Sequence, residues 1–170
     1  QEGNYPLPDA QLDRFVVKTA MGYPDEAGEV ELLRRRVGRT DRDPSVSRVL
    51  DRDTVQGVRT APEDVRVDDD LLEYMARITH ATRNDRRVEV GVSPRGTQRL
   101  LESTRAAAVL AGRSFVTPDD VKRVAQPVLA HRLVLTPDAK VNEVAKTDVL
   151  ASVLDRVEVP TVEYEEPAAD

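Results

Sequence analysis

The chain has 170 residues, 33% of them charged and 39% hydrophobic, with a net charge of −6. That length supports one domain or two small ones, burying roughly 70% of the unfolded surface. The lack of cysteine excludes disulfides and thiol chemistry, the distant His80 and His131 give no histidine metal site, and the acidic balance argues against nucleic acid as a ligand.

No apolar run approaches the roughly 18 residues of a membrane span, and no signal-peptide pattern is present. The chain opens at Gln1 in a turn-like segment, which reads as a piece of a longer protein. Gly3, Pro6 and Pro8 punctuate a loop, and Pro8 to Asp13 reads as a short helix. Phe15 to Ala20 is short, β-branched and bounded by Met21-Gly22-Tyr23-Pro24, so it is expected to be a strand. Asp25 to Arg36 places acids first and Arg34-Arg35-Arg36 last, matching a helix dipole, with Val30 and Leu33 able to face a core. Residues 37–53 read as a polar loop with one helical turn around Val46 to Leu50, and Thr54 to Glu63 as an ambiguous helix.

Val65 to Val67 reads as extended. The Asp68-Asp69-Asp70 cluster reads as an N-cap for a helix through Thr82, with Leu71, Leu72, Met75, Ile78 and Thr79 on one face. Ser93-Pro94 starts the most legible helix, with a stripe of Leu100, Leu101, Thr104, Ala107, Ala108 and Ala111 and a stop at Gly112. Thr117-Pro118-Asp119-Asp120 is a capping box with a shortened acid, launching Val121, Val124 and Val128. Pro127 predicts a break or kink. A final helix over Thr147 to Arg156 precedes an acidic tail expected to be disordered.

The phosphate-cradling pattern G-x-x-x-x-G-K-[ST] is absent: Lys18 and Lys146 are followed by Thr, but neither has the preceding glycine. No Gly-x-Ser-x-Gly elbow or HExxH occurs. Two of the 21 arginines stand where arginines do chemistry. Arg14 ends the first short helix. Arg95 lies two residues past the Ser93 cap, where free N–H groups and the helix dipole favour an anion. On spacing alone, a surface ion pair worth about 0–1 kcal/mol is the competing reading for each.

The string Gln-Glu-Gly-Asn-Tyr-Pro-Leu-Pro-Asp-Ala-Gln-Leu-Asp-Arg-Phe over residues 1–15 resembles the MoxR family of AAA+ ATPases. Met21-Gly22-Tyr23-Pro24, Gly112-Arg-Ser-Phe-Val-Thr-Pro-Asp-Asp-Val121 and Pro127-Val-Leu-Ala-His-Arg-Leu133 fit the same pattern in order and spacing. Gly91-Val-Ser-Pro-Arg95-Gly96 is similar to the family's sensor-2 motif, with Gly at position 96 in place of Ala. The resemblance runs to about residue 135 and continues more weakly to Val157-Glu-Val-Pro160.

It implies a mainly α fold: the C-terminal helical lid bundle of an AAA+ protein, with a remnant (short helix and strand) of the α/β core. Residues 1–24 are then the end of the core, 25–157 the lid and 158–170 the tail. Arg14 is implied as an arginine finger acting in trans, and Arg95 as the sensor-2 contact to the ATP γ-phosphate, in cis or in trans. The implied activity is ATP hydrolysis coupled to chaperone-like remodelling or maturation of partner proteins. ATP and Mg2+ are held mainly by motifs missing from this chain, so the chain alone is expected to be inactive. The implied setting is a cytoplasmic homo-oligomeric ring, a hexamer, with a von Willebrand factor A domain protein as partner and without nucleic acid or membrane insertion. The alternative is a non-enzymatic interaction module, in which residues 94–111 and the helix after Thr117 form a histone-like pair.

Overall fold

The computed structural model describes residues 7–39 and 46–161. The helices are α1 (Asp9–Leu12), α2 (Glu26–Val37), α3 (Arg52–Thr60), α4 (Asp69–Arg83), α5 (Pro94–Leu110), α6 (Pro118–Leu129), α7 (Pro137–Val141) and α8 (Lys146–Arg156). Two 3-10 turns, Ala61–Asp64 and Ala130–Arg132, follow α3 and α6. Strands β1 (Val88–Val90) and β2 (Val134–Leu135) pair antiparallel, with Val88 opposite Leu135 and an irregular step before Val90. The architecture is mainly α, as the sequence implies.

The core is a closed arrangement of four helices. α5 packs on α4 and α6, and α8 packs on the same two. Leu71, Tyr74, Met75 and Ile78 of α4 meet Leu100 and Ala108 of α5, Val121, Ala125 and Val128 of α6, and Val149, Leu150 and Val153 of α8. The helical pair α5–α6 is thus half of this bundle. Asp85, buried at the start of the turn into β1, accepts from the backbone N–H and guanidinium of Arg87 and from Arg156 at the end of α8. The Arg87 hydrogen bond holds its carboxyl well below the usual carboxylate range.

Local capping follows the sequence closely. The Asp25 and Ser93 side chains cap α2 and α5. Thr117 and Asp120 form both halves of a capping box, and the shorter Asp120 still reaches the Thr117 N–H at 3.0 Å. Its position is secured by Arg113, which donates to Asp120 at 2.6 and 2.7 Å. Gly112, at φ +71°, ends α5 in a left-handed turn. The N–H groups of Gly112 and Arg113 return to Val109 and Ala108.

Several expectations are corrected. Phe15 to Ala20 is not a strand: no neighbouring strand is available among the described residues, and the backbone-to-backbone bond that ties it to the bundle runs from Lys18 N–H to the Pro127 carbonyl. Val30 and Leu33 face solvent, because α2 meets no second apolar face among the described residues. Residues 46–50 form no helical turn, and the rest of that loop, 40–45, lies outside the described residues, as do 1–6 and the tail from 162. The helix expected to start at Thr54 starts at Arg52 and gives way to a 3-10 turn at Ala61. Asp68 occupies the N-cap of α4 without a side-chain cap bond. Leu72 and Ala111 are exposed. Pro127 does not break α6, which continues to Leu129 before tightening into the 3-10 turn. Proline has no N–H to give the carbonyl of Arg123, so α6 forgoes that one bond close to its end.

Candidate functional site

Arg14 sits in the turn that ends α1, where its N–H returns to Gln11 and the N–H of Phe15 to Leu12. Arg95 is the second residue of α5. The N-terminus of α5 is placed by α4. The buried Thr82 hydroxyl donates to the Thr79 carbonyl at 2.6 Å and accepts from Val92 N–H at 3.0 Å, while Arg83 Nε donates to the Val92 carbonyl at 2.7 Å. This approach requires glycine at position 91, where a Cβ would lie 2.7 Å from the Arg83 Cα and N. The Ser93 Oγ accepts from Gly96 N–H at 3.2 Å, which caps the helix.

The same Ser93 hydroxyl is 3.1 Å from each oxygen of the Asp13 carboxylate. Asp13 also has Arg95 Nη1 at 3.9 Å and Arg132 Nη1 at 3.8 Å. The residue before Arg14 is therefore joined directly to the cap of the Arg95 helix. Arg14, Arg95 and Arg99 line one open cleft of about 310 Å³. Arg99 donates to Glu102 at 2.5 Å. Arg95 is about half exposed and its only ion pair among the described residues is the long one to Asp13. No carboxylate among the described residues pairs with Arg14. The competing surface ion pair is therefore absent at Arg14 among the described residues, and the neighbouring Asp13 is directed to Ser93 and Arg132.

Beneath the cleft lies Arg132, its side chain 1% exposed. It donates to the carbonyls of Asp13 at 3.3 Å and Phe15 at 2.7 Å. It also donates to His131 Nε2 at 2.9 Å. Burial, helped by the Arg132 charge, pushes the His131 ring below its ordinary value, which suits a neutral ring accepting this bond. Gly96 makes room for the assembly: a Cβ there would lie 2.5 Å from Val92 Cγ1 and 2.9 Å from Arg132 Cδ. The glycine that departs from the resembled motif thus has a steric reason.

The structure brings the two sequence-selected arginines together, and adds Asp13, Arg99 and Arg132. Arg132 lies in the segment Pro127 to Leu133, but its partners are 117 and 119 residues away, so no local spacing reveals its part. Arg99 is one turn beyond Arg95 on the same helix face, a spacing that could have been read.

Comparison with known proteins gives a consistent result. Residues 80–153 match the AAA lid domain family. The chain is 35% identical over 159 residues to "Uncharacterized protein YeaC" of Bacillus subtilis, covering 94% of this chain and 49% of that protein. It is 36% identical over 170 residues to "Chaperone MoxR1" of Mycobacterium tuberculosis, covering 95% and 44%. A crystal structure from Cytophaga hutchinsonii, described as that of a "putative ATPase", superimposes with a TM-score of 0.87 at 28% identity, over 95% of this chain and 51% of that one. The chain spans about half the length of the curated relatives it matches.

Proposed function

Starting from a chain that is MoxR-like and carries an AAA lid domain, we propose that it is the C-terminal part of an AAA+ ATPase that couples ATP hydrolysis to chaperone-like remodelling or maturation of partner proteins. Residues 1–24 close the AAA+ core, 25–157 form the lid and 158–170 an acidic tail. The exposed Phe15, Val16 and Val17 suit a segment that meets more of that core. By the family resemblance the complete protein works as a cytoplasmic hexamer beside a von Willebrand factor A domain protein.

In this reading Arg14 is the arginine finger and Arg95 is sensor 2. The observation that carries it is the shared cleft. Three guanidinium groups, the α5 N-terminus and the lack of a carboxylate on Arg14 suit a polyphosphate, whose oxygens take bidentate N–H bonds. Mg2+ accompanies ATP and offsets phosphate charge, and both are held mainly by motifs that this chain's sequence does not contain. Arg14 meets charge that develops on the transferring phosphoryl group, where a finger is worth about 10³–10⁵ in rate. Because Arg14 and Arg95 line the same cleft, they serve the same nucleotide. A finger acting in trans therefore brings Arg95 in trans with it.

Arg14→Ala in the complete ATPase is expected to lower turnover by about 10³-fold or more while ATP still binds. Single-turnover hydrolysis and nucleotide titration on one preparation check this. Near-normal turnover would return Arg14 to the surface and end the reading.

A further inference from the structure

We propose that Arg132 is a positioning residue, a buried guanidinium that locks the Arg14 turn onto the N-terminus of α5. The inference rests on the reading of Arg14 and Arg95 given above. Arg132 belongs to the 3-10 turn after α6, far in sequence from both. Its Nη1 and Nη2 take the carbonyls of Asp13 and Phe15, the two residues that flank Arg14. Its charge lies 3.8 Å from the Asp13 carboxylate, which the Ser93 hydroxyl meets at 3.1 Å and Arg95 at 3.9 Å. One cation thus fixes the backbone on both sides of Arg14 and, through Asp13, the cap residue two positions before Arg95.

Its burial supports a role beyond filling space. A guanidinium is costly to bury, and an apolar residue of similar volume is often at least as stabilising. What an apolar residue cannot supply is a rigid planar fork with donors to two carbonyls and the His131 ring, and a charge 3.8 Å from the Asp13 carboxylate. Lysine, a point charge on a flexible stem, cannot reproduce it either. Glycine at position 96 leaves the stem its room, since a Cβ there would lie 2.9 Å from Arg132 Cδ. Phosphoryl transfer is sensitive to such placement, since an error of about 1 Å costs on the order of 10²-fold in rate.

The test is a double-mutant cycle in the complete ATPase. Arg132→Met and Arg132→Lys are each expected to lower kcat by about 10–100-fold. In an Arg14→Ala background, adding either change should lower kcat clearly less than in the parent, because only the part acting through Asp13 and Ser93 on Arg95 remains. Equal losses in both backgrounds, or no loss in the parent, would overturn the proposal. Arg132→Lys keeps the charge and most of the stem, so the cycle stands even where Arg132→Met folds poorly. Hydrogen exchange on the 170-residue chain provides a readout that needs no activity. The Lys18 amide and its neighbours should exchange at least about tenfold faster in Arg132→Lys, with α5 and α6 unchanged. Unchanged exchange refutes the clamp. Faster exchange in a protein whose Arg14→Ala variant turns over normally keeps the clamp and removes only the finger.

Discussion

The described residues of 7–60 and those of 61–157 are built from similar local signals, yet only the second stretch buries its side chains. Every buried residue among those described lies between Val65 and Val153. In the first stretch α2 has a side-chain cap, acids in its first turn and arginines in its last. α3 is capped by Asp51. Their apolar residues nevertheless stay in solvent: Leu32 is 56% exposed, Leu33 65% and Val58 60%. The second stretch has four helices whose apolar faces meet one another, and Leu71, Leu100, Val128 and Leu150 are fully buried there. Capping and charge order start and stop a helix; packing decides whether its stability counts for the fold. The candidate site stands where the two stretches touch, with Asp13 and Arg14 from one and Ser93, Arg95 and Arg132 from the other.

The largest effect that can break this contrast is a cavity in the bundle. Leu100→Ala is expected to cost about 3 kcal/mol by urea denaturation, since a fully buried leucine loses both its burial and its packing partners. A smaller effect is electrostatic. Asp85→Asn should cost about 1.5 kcal/mol at pH 7, toward the low end because Arg87 and Arg156 remain partly hydrated. The folded carboxyl titrates below its unfolded value, so its stabilisation is complete above about pH 4–5 and is lost as the pH falls toward the folded value. The gap between parent and variant should therefore be flat from pH 5 to 8 and narrow below pH 4. A gap that widens on acidification would contradict the assignment. The smallest effect belongs to the first stretch: Leu33→Ala should change stability by less than about 0.5 kcal/mol in the same urea assay. A loss as large as that of Leu100→Ala would show α2 to be part of the cooperative unit.

What could be read in advance follows the same division. The starts of α2, α5 and α6 and the glycine stop after α5 are legible because each depends on residues within a few positions. Tyr74, buried beside Met75, is missed by a stripe drawn only through Leu71, Leu72, Met75, Ile78 and Thr79. β1, β2 and α7 escape notice because they span three, two and five residues, and the strands pair across more than 40 positions. Phe15 to Ala20 has the composition of a strand, but a strand is defined by its neighbour. Within the candidate site, Arg14 and Arg95 are legible through their places at helix ends and through motif resemblance. The Asp13–Ser93 and Arg132–Phe15 contacts join residues 80 and 117 apart, and only the fold brings them together.

The central claim is that one subunit presents Arg14 and Arg95 to one nucleotide, that of its neighbour. Mixed rings test it directly. Arg95→Ala subunits with an intact phosphate-binding loop are combined with subunits whose loop is inactivated but whose Arg95 is intact, with mixed assembly verified. The account predicts that ATPase activity returns, as it should for Arg14→Ala subunits in the same mixture. It also predicts that mixing Arg14→Ala with Arg95→Ala subunits restores nothing, because no junction then receives both arginines. Recovery in that last mixture, with none from Arg95→Ala plus loop-dead subunits, would place Arg95 on its own subunit's nucleotide and contradict the shared site.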